Sequence, residues 1–234
     1  MAISAADVGG TRRLRADAAR NRQRLLDAAA EVFAARGLDA TLDDIARHAG
    51  VNVATAYRHF ANKHELAHEF LAQCVDNAVA IAEEAAAEPD PWTGLTGFLE
   101  RSLDMIASNR ALVDVLSRDY GAEHFTKMLQ RSSVPLGQLL ARGQAAGVVR
   151  TDVAVTDFPP ILEMLGSVCG HGHAELPDLP HRYIGLILAG LRPSGEALPG
   201  APLTERRLLE LVAAKGDSPK GKVLTPRAAR SRRR

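Results

Sequence analysis

Apolar residues recur at helical spacing along most of this chain, whereas alternation of apolar and polar residues over strand lengths is hard to find. The first periodic segment is "RADAARNRQRLLDAAAEVFAARG", and its apolar positions between the charges include Leu25, Ala29, Val32 and Phe33. Gly37 follows at a place where a glycine commonly ends a helix. The pattern therefore predicts an amphipathic first helix.

Two short helices and a long one are predicted next. Thr41 can cap the second helix, with Asp44 three residues later as a variant of the capping box. Gly50 permits a sharp turn into a third, short helix. Asn62 and Glu65 form another cap pair, which opens the long helix "NKHELAHEFLAQCVDNAVAIAEEAAA".

The rest of the chain also favours helices. The stretch "EPDPW" ends the long helix because two prolines close together cannot continue it. Helical patterns resume at about 93–108, 110–119, 122–131 and 133–146. Two apolar segments, "DFPPILEMLGSVCG" and "HRYIGLILAGL", and a last amphipathic one, "TERRLLELVAA", come after them. We predict an all-α fold.

Composition agrees with a helical protein, and the charge is uneven along the chain. Apolar residues make up 46% of the sequence and aromatic residues only 4%. The net charge of +1 conceals 10 Lys/Arg against 7 Asp/Glu in residues 1–64, 11 against 20 in residues 65–214, and 8 against 1 in the last twenty. Basic ends around an acidic middle suggest a polyanionic partner.

The sequence carries no pattern typical of a secreted or membrane protein. Two cysteines, Cys74 and Cys169, do not suggest a disulfide framework. The first residues, "MAISAADVGG", lack a signal pattern, and no run of about 18 apolar residues is long enough to span a bilayer. We expect a soluble, cytoplasmic protein with no cofactor and no membrane partner.

The interval from Thr41 to Phe60 has the layout of a helix-turn-helix. The positions expected on its inner face are Ile45, Ala46, Val51, Ala56 and Phe60. A helix as short as the second one fits the major groove of B-DNA, with its N-terminal residues nearest the base edges. Its outer face presents Asn52, Val53, Ala54, Thr55, Tyr57 and Arg58.

The same region resembles the tetracycline-repressor (TetR-like) family of bacterial regulators. The resemblance lies in "AAAEVFAARGLDATLDDIARHAGV" followed by "ATAYRHFANKHEL", and it is specific over roughly residues 18–70. It implies an N-terminal three-helix DNA-binding domain with a larger helical domain, in a transcriptional repressor rather than an enzyme. Ala56 departs from the leucine that the family often has at this position.

The resemblance also implies roles for individual residues. Thr41, at a helix N-terminus, would meet a phosphate. The DNA backbone on both sides of the groove would be held by Thr55, Tyr57, His59 and Lys63. Base edges would be faced by Asn52, Val53, Ala54 and Arg58. Two questions stay open: whether Val53 is buried, and whether Arg58 contacts bases or only phosphates.

These features divide the chain into four parts. They are a flexible arm at 1–14, a helix-turn-helix domain at 15–65, a helical effector-binding and dimerisation domain at 66–214, and a basic, disordered tail at 215–234. In the arm, the arginines either enter the minor groove or form a solvated end; they are Arg12, Arg13 and Arg15. The tail is either a nonspecific DNA tether or, as we slightly favour, a solvated end.

A single recognition helix contacts too few base pairs for useful specificity, so a homodimer on a palindromic operator is expected. The predicted dimerising stripe, which would equally suit the chain's own core, is Ile161, Leu165, Ile184, Leu188 and Leu191. The resemblance further implies a pocket for a small, largely apolar effector. Its candidate residues, each of a type more common in a core, are Trp92, Phe98, Met105, Tyr120, Phe125 and Met128.

The segment "CGHGH" raises the question of a metal site. Cys169, His171 and His173 are suitable zinc ligands, but zinc sites usually need a fourth group and none is obvious. We therefore predict no metal. The sequence contains neither a Gly-x-Ser-x-Gly elbow nor a phosphate-binding glycine loop, so no motif suggests catalysis. The alternatives are a ligand-independent DNA-binding protein and an enzyme that uses the Cys169/His171 region.

Overall fold

Every regular element in the described part of this computed structural model is helical, which confirms the all-α prediction. The structure describes residues 5–36, 39–169 and 179–216, with side chains for 16–33, 35–36, 39–108, 122–168 and 179–214. The helices are α1 (Ala5–Arg36), α2 (Leu42–His48), α3 (Val53–His59), α4 (Lys63–Ala87), α5 (Pro91–Ala145), α6 (Phe158–Cys169), α7 (Leu179–Leu191) and α8 (Glu205–Gly216). Helix α1 begins within the segment predicted to be an arm.

The helix starts in the N-terminal part are fixed by local capping, as the sequence predicts. The hydroxyl of Thr41 accepts a hydrogen bond from the amide of Asp44 at 3.2 Å, and the Asp44 carboxylate accepts one from the Thr41 amide at 3.0 Å. The side chain of Asn62 likewise accepts from the amides of His64 and Glu65. These bonds satisfy amide groups that the helix itself leaves without partners.

Helices α1 to α3 and the first part of α4 share one hydrophobic core. Its fully buried members include Leu25, Leu26, Phe33, Ile45, Ala56, Phe60 and Leu66. Helix α4 continues this core to Leu71, beyond the predicted domain boundary at residue 65, and then contributes Ala82 and Ala85 to a second core in the body. A single helix therefore connects the two cores.

Helix α5 is not a straight rod. Its 55 residues would extend about 80 Å if straight, at a rise of about 1.5 Å per residue. However, a Cβ atom added to Gly94 near its start would lie 3.0 Å from the side chain of Leu139 near its end. The chain therefore reverses direction within the element, and a first arm (residues 91–108) lies beside a second arm (residues 122–145).

The second arm corrects one predicted helix break. The sequence predicts separate helices at 122–131 and 133–146, but α5 continues through this point and through Pro135. The hydroxyl of Ser132 donates to the carbonyl of Met128 at 2.8 Å, so it stays bonded within the helix. The buried side chains of Leu129 and Leu136 hold the segment against the core on both sides of the predicted break.

Helices α6 and α7 pack on α5, and they correct the predicted dimer stripe. Phe158, at the start of α6, meets Phe98 edge to face with 5.6 Å between ring centres. Leu165, Ile184 and Leu191 are buried within the chain. The other two predicted interface residues, Ile161 and Leu188, are half-buried against the same core. The predicted stripe is therefore the inner face of these helices, because periodicity alone cannot tell which apolar side faces outward.

Some apolar residues on the same helices do face outward. Met164 on α6 and Leu186 on α7 are each more than half exposed, at 58% and 57%, and Tyr183 is also exposed. Within the described residues, no helix has the length and hydropathy that crossing a bilayer requires. The side chains considered above as metal ligands, those of Cys169, His171 and His173, lie outside the described residues.

Candidate nucleic-acid interface

Helix α3 lies on the surface with one face buried and the other open. Ala56 and Phe60 are fully buried on its inner side, as predicted. Gly50 makes the turn into this helix with φ of +62°, a conformation that residues with a Cβ rarely adopt. The amide of Val51 donates to the carbonyl of Ala46 at 2.9 Å, which closes the turn. The backbone thus holds α3 in a fixed pose with its outer side exposed.

The outer side of α3 carries two residues predicted to face base edges, Ala54 and Arg58, and one predicted to hold the DNA backbone, Tyr57. Ala54, Tyr57 and Arg58 are exposed, with Tyr57 at 51%. Val53 is half-buried and packs against the N-terminal core, so the open question about this residue is answered in favour of packing. A valine in this position leaves only part of its surface for a thymine methyl group.

Asn52 has a structural role that the sequence analysis did not assign. It is the N-cap of α3, and its side-chain oxygen accepts a hydrogen bond from the amide of Ala54 at 2.9 Å. An asparagine directly before a helix is typical of this role. Only its amide NH₂ group then remains to contact a base, so its capacity to distinguish bases is smaller than predicted.

Thr55 and Arg58 are joined along the outer side of α3. The guanidinium of Arg58 donates to the hydroxyl of Thr55 at 2.8 Å, one helical turn away. Because the hydroxyl accepts this bond, its own proton remains available for a phosphate oxygen. The pairing places a positive charge beside the hydroxyl that is predicted to hold the DNA backbone.

The N-terminus of α2 is an acidic site whose charge is locally compensated. The hydroxyl of Thr41 donates to the carboxylate of Asp44 at 2.7 Å, and this bond is the main cause that lowers the pKa of Asp44 to about 2. Arg36 and Arg47 lie 3.3 Å from the same carboxylate. A phosphate at this N-terminus would have to compete with Asp44 for the hydroxyl of Thr41.

Tyr57 on α3, like Thr41, has an acidic residue of α2 beside its hydroxyl. The carboxylate of Asp43 accepts a hydrogen bond from the Tyr57 hydroxyl, and this raises the pKa of Tyr57. The phenol therefore keeps its proton at neutral pH and can donate it. Binding a phosphate through Tyr57 requires that this proton turn from Asp43 towards the DNA.

The remaining predicted backbone contacts lie at the end of α3 and the start of α4. His59 ends α3 and is half-buried, while its carbonyl oxygen accepts a bond from Arg22 at 3.0 Å. Lys63 begins α4 and is also half-buried. The role of Arg22 cannot be predicted from the sequence, because no pattern in one sequence links a residue of the first helix to the end of the third.

The residues predicted to line an effector pocket differ from one another in burial and in contacts. The guanidinium of Arg192 lies 3.4 Å from the centre of the Trp92 ring, and Phe98 is buried against Phe158. Met105, Phe125 and Met128 are half-buried, as Trp92 is, and the side chain of Tyr120 lies outside the described residues. An open cleft of about 390 Å³ lies between α6 and α7, and its lining residues are Met164, Ser167, Val168, Leu179 and Tyr183.

A capped helix-turn-helix with an exposed, polar second helix, joined to a larger helical body, defines a DNA-binding regulator of the helix-turn-helix class. Residues 25–70 match the family described as bacterial regulatory proteins, tetR family. Residues 90–193 match the C-terminal domain described as transcriptional regulator SbtR-like. The chain belongs to the TetR family, whose members are transcriptional regulators and not enzymes.

Solved structures agree with this assignment over most of the chain. A TetR transcription regulatory protein from Mycobacterium vanbaalenii is 35% identical, with a TM-score of 0.58, and the match covers 77% of this chain and 99% of that one. A TetR transcriptional regulator from Streptomyces coelicolor is 28% identical, also with a TM-score of 0.58, over 74% of this chain and 99% of the other.

Curated relatives match a shorter stretch of the chain. The uncharacterized HTH-type transcriptional regulator TtgW and the HTH-type transcriptional regulator SrpR, both from Pseudomonas putida, are each 52% identical over 62 residues, or 26% of this chain. The match spans 46% of the length of TtgW and 29% of that of SrpR. The chain thus aligns with less than half of the length of either relative.

Proposed function

We propose that this protein is a homodimeric transcriptional repressor that binds a palindromic DNA operator through α3 and is released by a small, largely apolar effector. The observation that carries the proposal is the pose of α3, with Ala56 buried and Tyr57 and Arg58 exposed on the opposite side. A helix held in this way presents its outer side to the major groove as one rigid unit.

The contacts to DNA divide into two kinds. Arg58 and the amide group of Asn52 are the exposed hydrogen-bonding groups assigned to base edges, and the exposed methyl of Ala54 is assigned to a thymine methyl group. The DNA backbone is held by side chains from all three elements around the groove; they are Thr41, Thr55, Tyr57, His59 and Lys63. Backbone contacts fix the register of the helix, and the base contacts then provide the sequence preference.

Dimerisation is assigned to the outward side of α6 and α7. Met164, Tyr183 and Leu186 are exposed apolar or aromatic residues on these two helices, next to the cleft between them. Exposed apolar surface of this kind is typical of a protein interface. A two-fold axis through this face would relate the two copies of α3 by the same symmetry as a palindromic operator.

Release by an effector is a two-state mechanism in which α4 is the lever. Helix α4 contributes Leu66 to the core under α3 and Ala82 to the core of the body. An effector bound in the body would favour the state in which the two recognition helices are spaced incorrectly for adjacent major grooves. A hundredfold loss of DNA affinity requires that the effector prefer this state by about 2.7 kcal/mol.

A regulator without an effector is the second candidate, and two contacts favour it. Phe98 and Trp92 were predicted to line a pocket, but their rings are occupied by Phe158 and Arg192 of the same chain. These two rings are therefore packed against side chains of their own chain. Operator affinity that no metabolite in a broad screen alters would support this candidate.

Selection of binding sites from random DNA tests the proposed function. The full-length protein is incubated with a random library, and bound sequences are amplified and sequenced over several rounds. The proposal predicts an enriched palindrome whose half-site centres lie about one helical turn apart. Enrichment of no sequence would contradict DNA-binding regulation, and an asymmetric single site would contradict the dimer.

A further inference from the structure

The guanidinium group of Arg22 joins three helices at the base of the recognition helix. Arg22 lies on α1, and its Nε donates to the carboxylate of Glu69 on α4 at 2.6 Å, while Nη2 bonds the second oxygen of the same carboxylate. Its Nη1 donates to the carbonyl of His59, the last residue of α3, at 3.0 Å. The planar fork of an arginine is suited to such a two-sided arrangement.

The same guanidinium also lies against Phe60, the residue that directly follows α3. The central carbon of the Arg22 guanidinium lies 4.4 Å from the centre of the Phe60 ring, within the range of a cation–π contact. Phe60 itself is fully buried and is the C-cap of α3. The end of the recognition helix is therefore held by Arg22 from two directions, and Arg22 is held by α4.

We propose that Arg22 is a positioning residue through which the pose of α3 depends on the position of α4. The inference rests on the proposed DNA-binding function and adds the contact by which the body would control it. When α4 shifts, Glu69 moves and takes the guanidinium with it, so the His59 carbonyl loses its donor. The carbonyl at the end of α3 then needs a new partner, and the helix tilts or frays.

Two simpler roles of this pair make different predictions. If Arg22 were only a phosphate contact, lysine at this position would keep the charge and bind DNA about as the wild type does. If Glu69 acted only through its charge, removing that charge near a polyanion would strengthen DNA binding. A positioning pair instead predicts weaker specific binding with an unchanged salt slope.

The test compares three substitutions in the full-length protein by titration with the selected operator at several salt concentrations. Glu69→Gln keeps the shape of the side chain and removes its charge. Arg22→Lys keeps the charge but cannot hold a carboxylate and a carbonyl with one rigid fork. Glu84→Gln is the matched control, because Glu84 also lies on α4 and also pairs with an arginine, Arg101, far from α3.

We expect Glu69→Gln and Arg22→Lys each to weaken operator binding about tenfold, within the usual range for coupled sites, with the salt slope of the wild type. Glu84→Gln should bind as the wild type does. Unchanged or tighter binding by Glu69→Gln, or wild-type binding by Arg22→Lys, would overturn the inference while leaving the proposed function intact. A wild-type protein that binds no selected site would overturn the proposed function as well.

Hydrogen exchange on the wild-type protein keeps the inference testable if a variant fails to fold. Operator DNA should slow the exchange of backbone amides around residue 69 in α4 as well as those of α3, because Arg22 connects the two helices. Slower exchange in α3 with no change around residue 69 would show that the two helices are not coupled through this contact.

Discussion

The guanidinium of Arg58 donates a 2.8 Å hydrogen bond to the hydroxyl of Thr55, one turn earlier on the exposed side of α3. The bond holds a long, otherwise flexible side chain along the helix, so less side-chain entropy is lost when Arg58 meets DNA. The pair brings together one residue assigned to base contact and one assigned to the DNA backbone. Their substitutions should therefore have different effects.

Replacing Arg58 with alanine should change the preferred base at one position in each half-site. The expected cost at that position is about 1–3 kcal/mol, the value of a good arginine–guanine pair. Competition binding with a set of single-base operator variants measures the loss of binding free energy at each position. A loss of equal size on every sequence would instead show that Arg58 contacts only phosphates, and Thr55→Val, which should lose affinity without changing preference, is the control.

Replacing Lys63 with alanine should weaken binding about equally on all sequences. Each phosphate contact contributes to the salt dependence, so the slope of log affinity against log salt should fall by about one. Lys127→Ala is the comparison, because this exposed lysine lies on the second arm of α5 and pairs with Glu123. An altered base preference in Lys63→Ala would contradict its assignment to the backbone.

The capping carboxylate of Asp44 should make stability depend on pH in the acid range. Its pKa is lowered from 3.8 to about 2, chiefly by the hydroxyl of Thr41, so the ionised form stabilises the folded state. That stabilisation is present above pH 4 and is lost as the pH falls towards 2. Asp44→Asn should therefore lower the melting temperature at pH 7, and the difference from wild type should shrink towards pH 2.

Thermal unfolding followed by circular dichroism at several pH values measures this difference. Asp39→Asn is a suitable control, because Asp39 is exposed and lies just before the same helix. A difference between Asp44→Asn and wild type that stays constant from pH 7 to pH 2 would mean that the charge of Asp44 is not what stabilises the fold.

The exposed side of α6 and α7 should be the dimer interface. Replacing Leu186, which is 57% exposed, with glutamate should produce a folded monomer that binds the operator weakly, because a buried charge without a partner opposes association. Sedimentation equilibrium measures the oligomeric state, and circular dichroism the fold. Val134→Glu is the matched control, since Val134 is 65% exposed but lies on α5. A Leu186→Glu protein that stays dimeric would place the interface elsewhere.

The sequence predicts the helix-turn-helix well because its determinants are local. Each determinant acts on residues only a few positions away in the sequence. They are the capping pair Thr41 and Asp44, the turn at Gly50 and the cap at Asn62. The burial of Ala56 and Phe60 is also predicted locally, from the spacing of apolar residues within the helix-turn-helix. Asn52 was assigned to base contact instead of capping, because an asparagine before a helix suits both roles and only the structure shows the bond to Ala54.

Prediction fails where the determinants are distant along the chain. Arg22 and Glu69 are 47 residues apart, and nothing in the sequence around either one indicates the other. Leu165 and Ile184 were assigned to the dimer interface because they follow helical spacing, yet the body covers them. In helices that are apolar on most sides, the buried side is chosen by the neighbouring helices, and spacing carries no information about it.

Methylation interference on the selected operator tests the central claim most directly, namely that two copies of α3 occupy successive major grooves of one duplex. Guanine N7 lies in the major groove, so a methyl group there blocks a helix that contacts the base edges. The account predicts two clusters of interfering guanines, one per half-site, about one helical turn apart and related by two-fold symmetry. Strong binding to DNA methylated throughout both half-sites, or a single cluster with no symmetric counterpart, would contradict it.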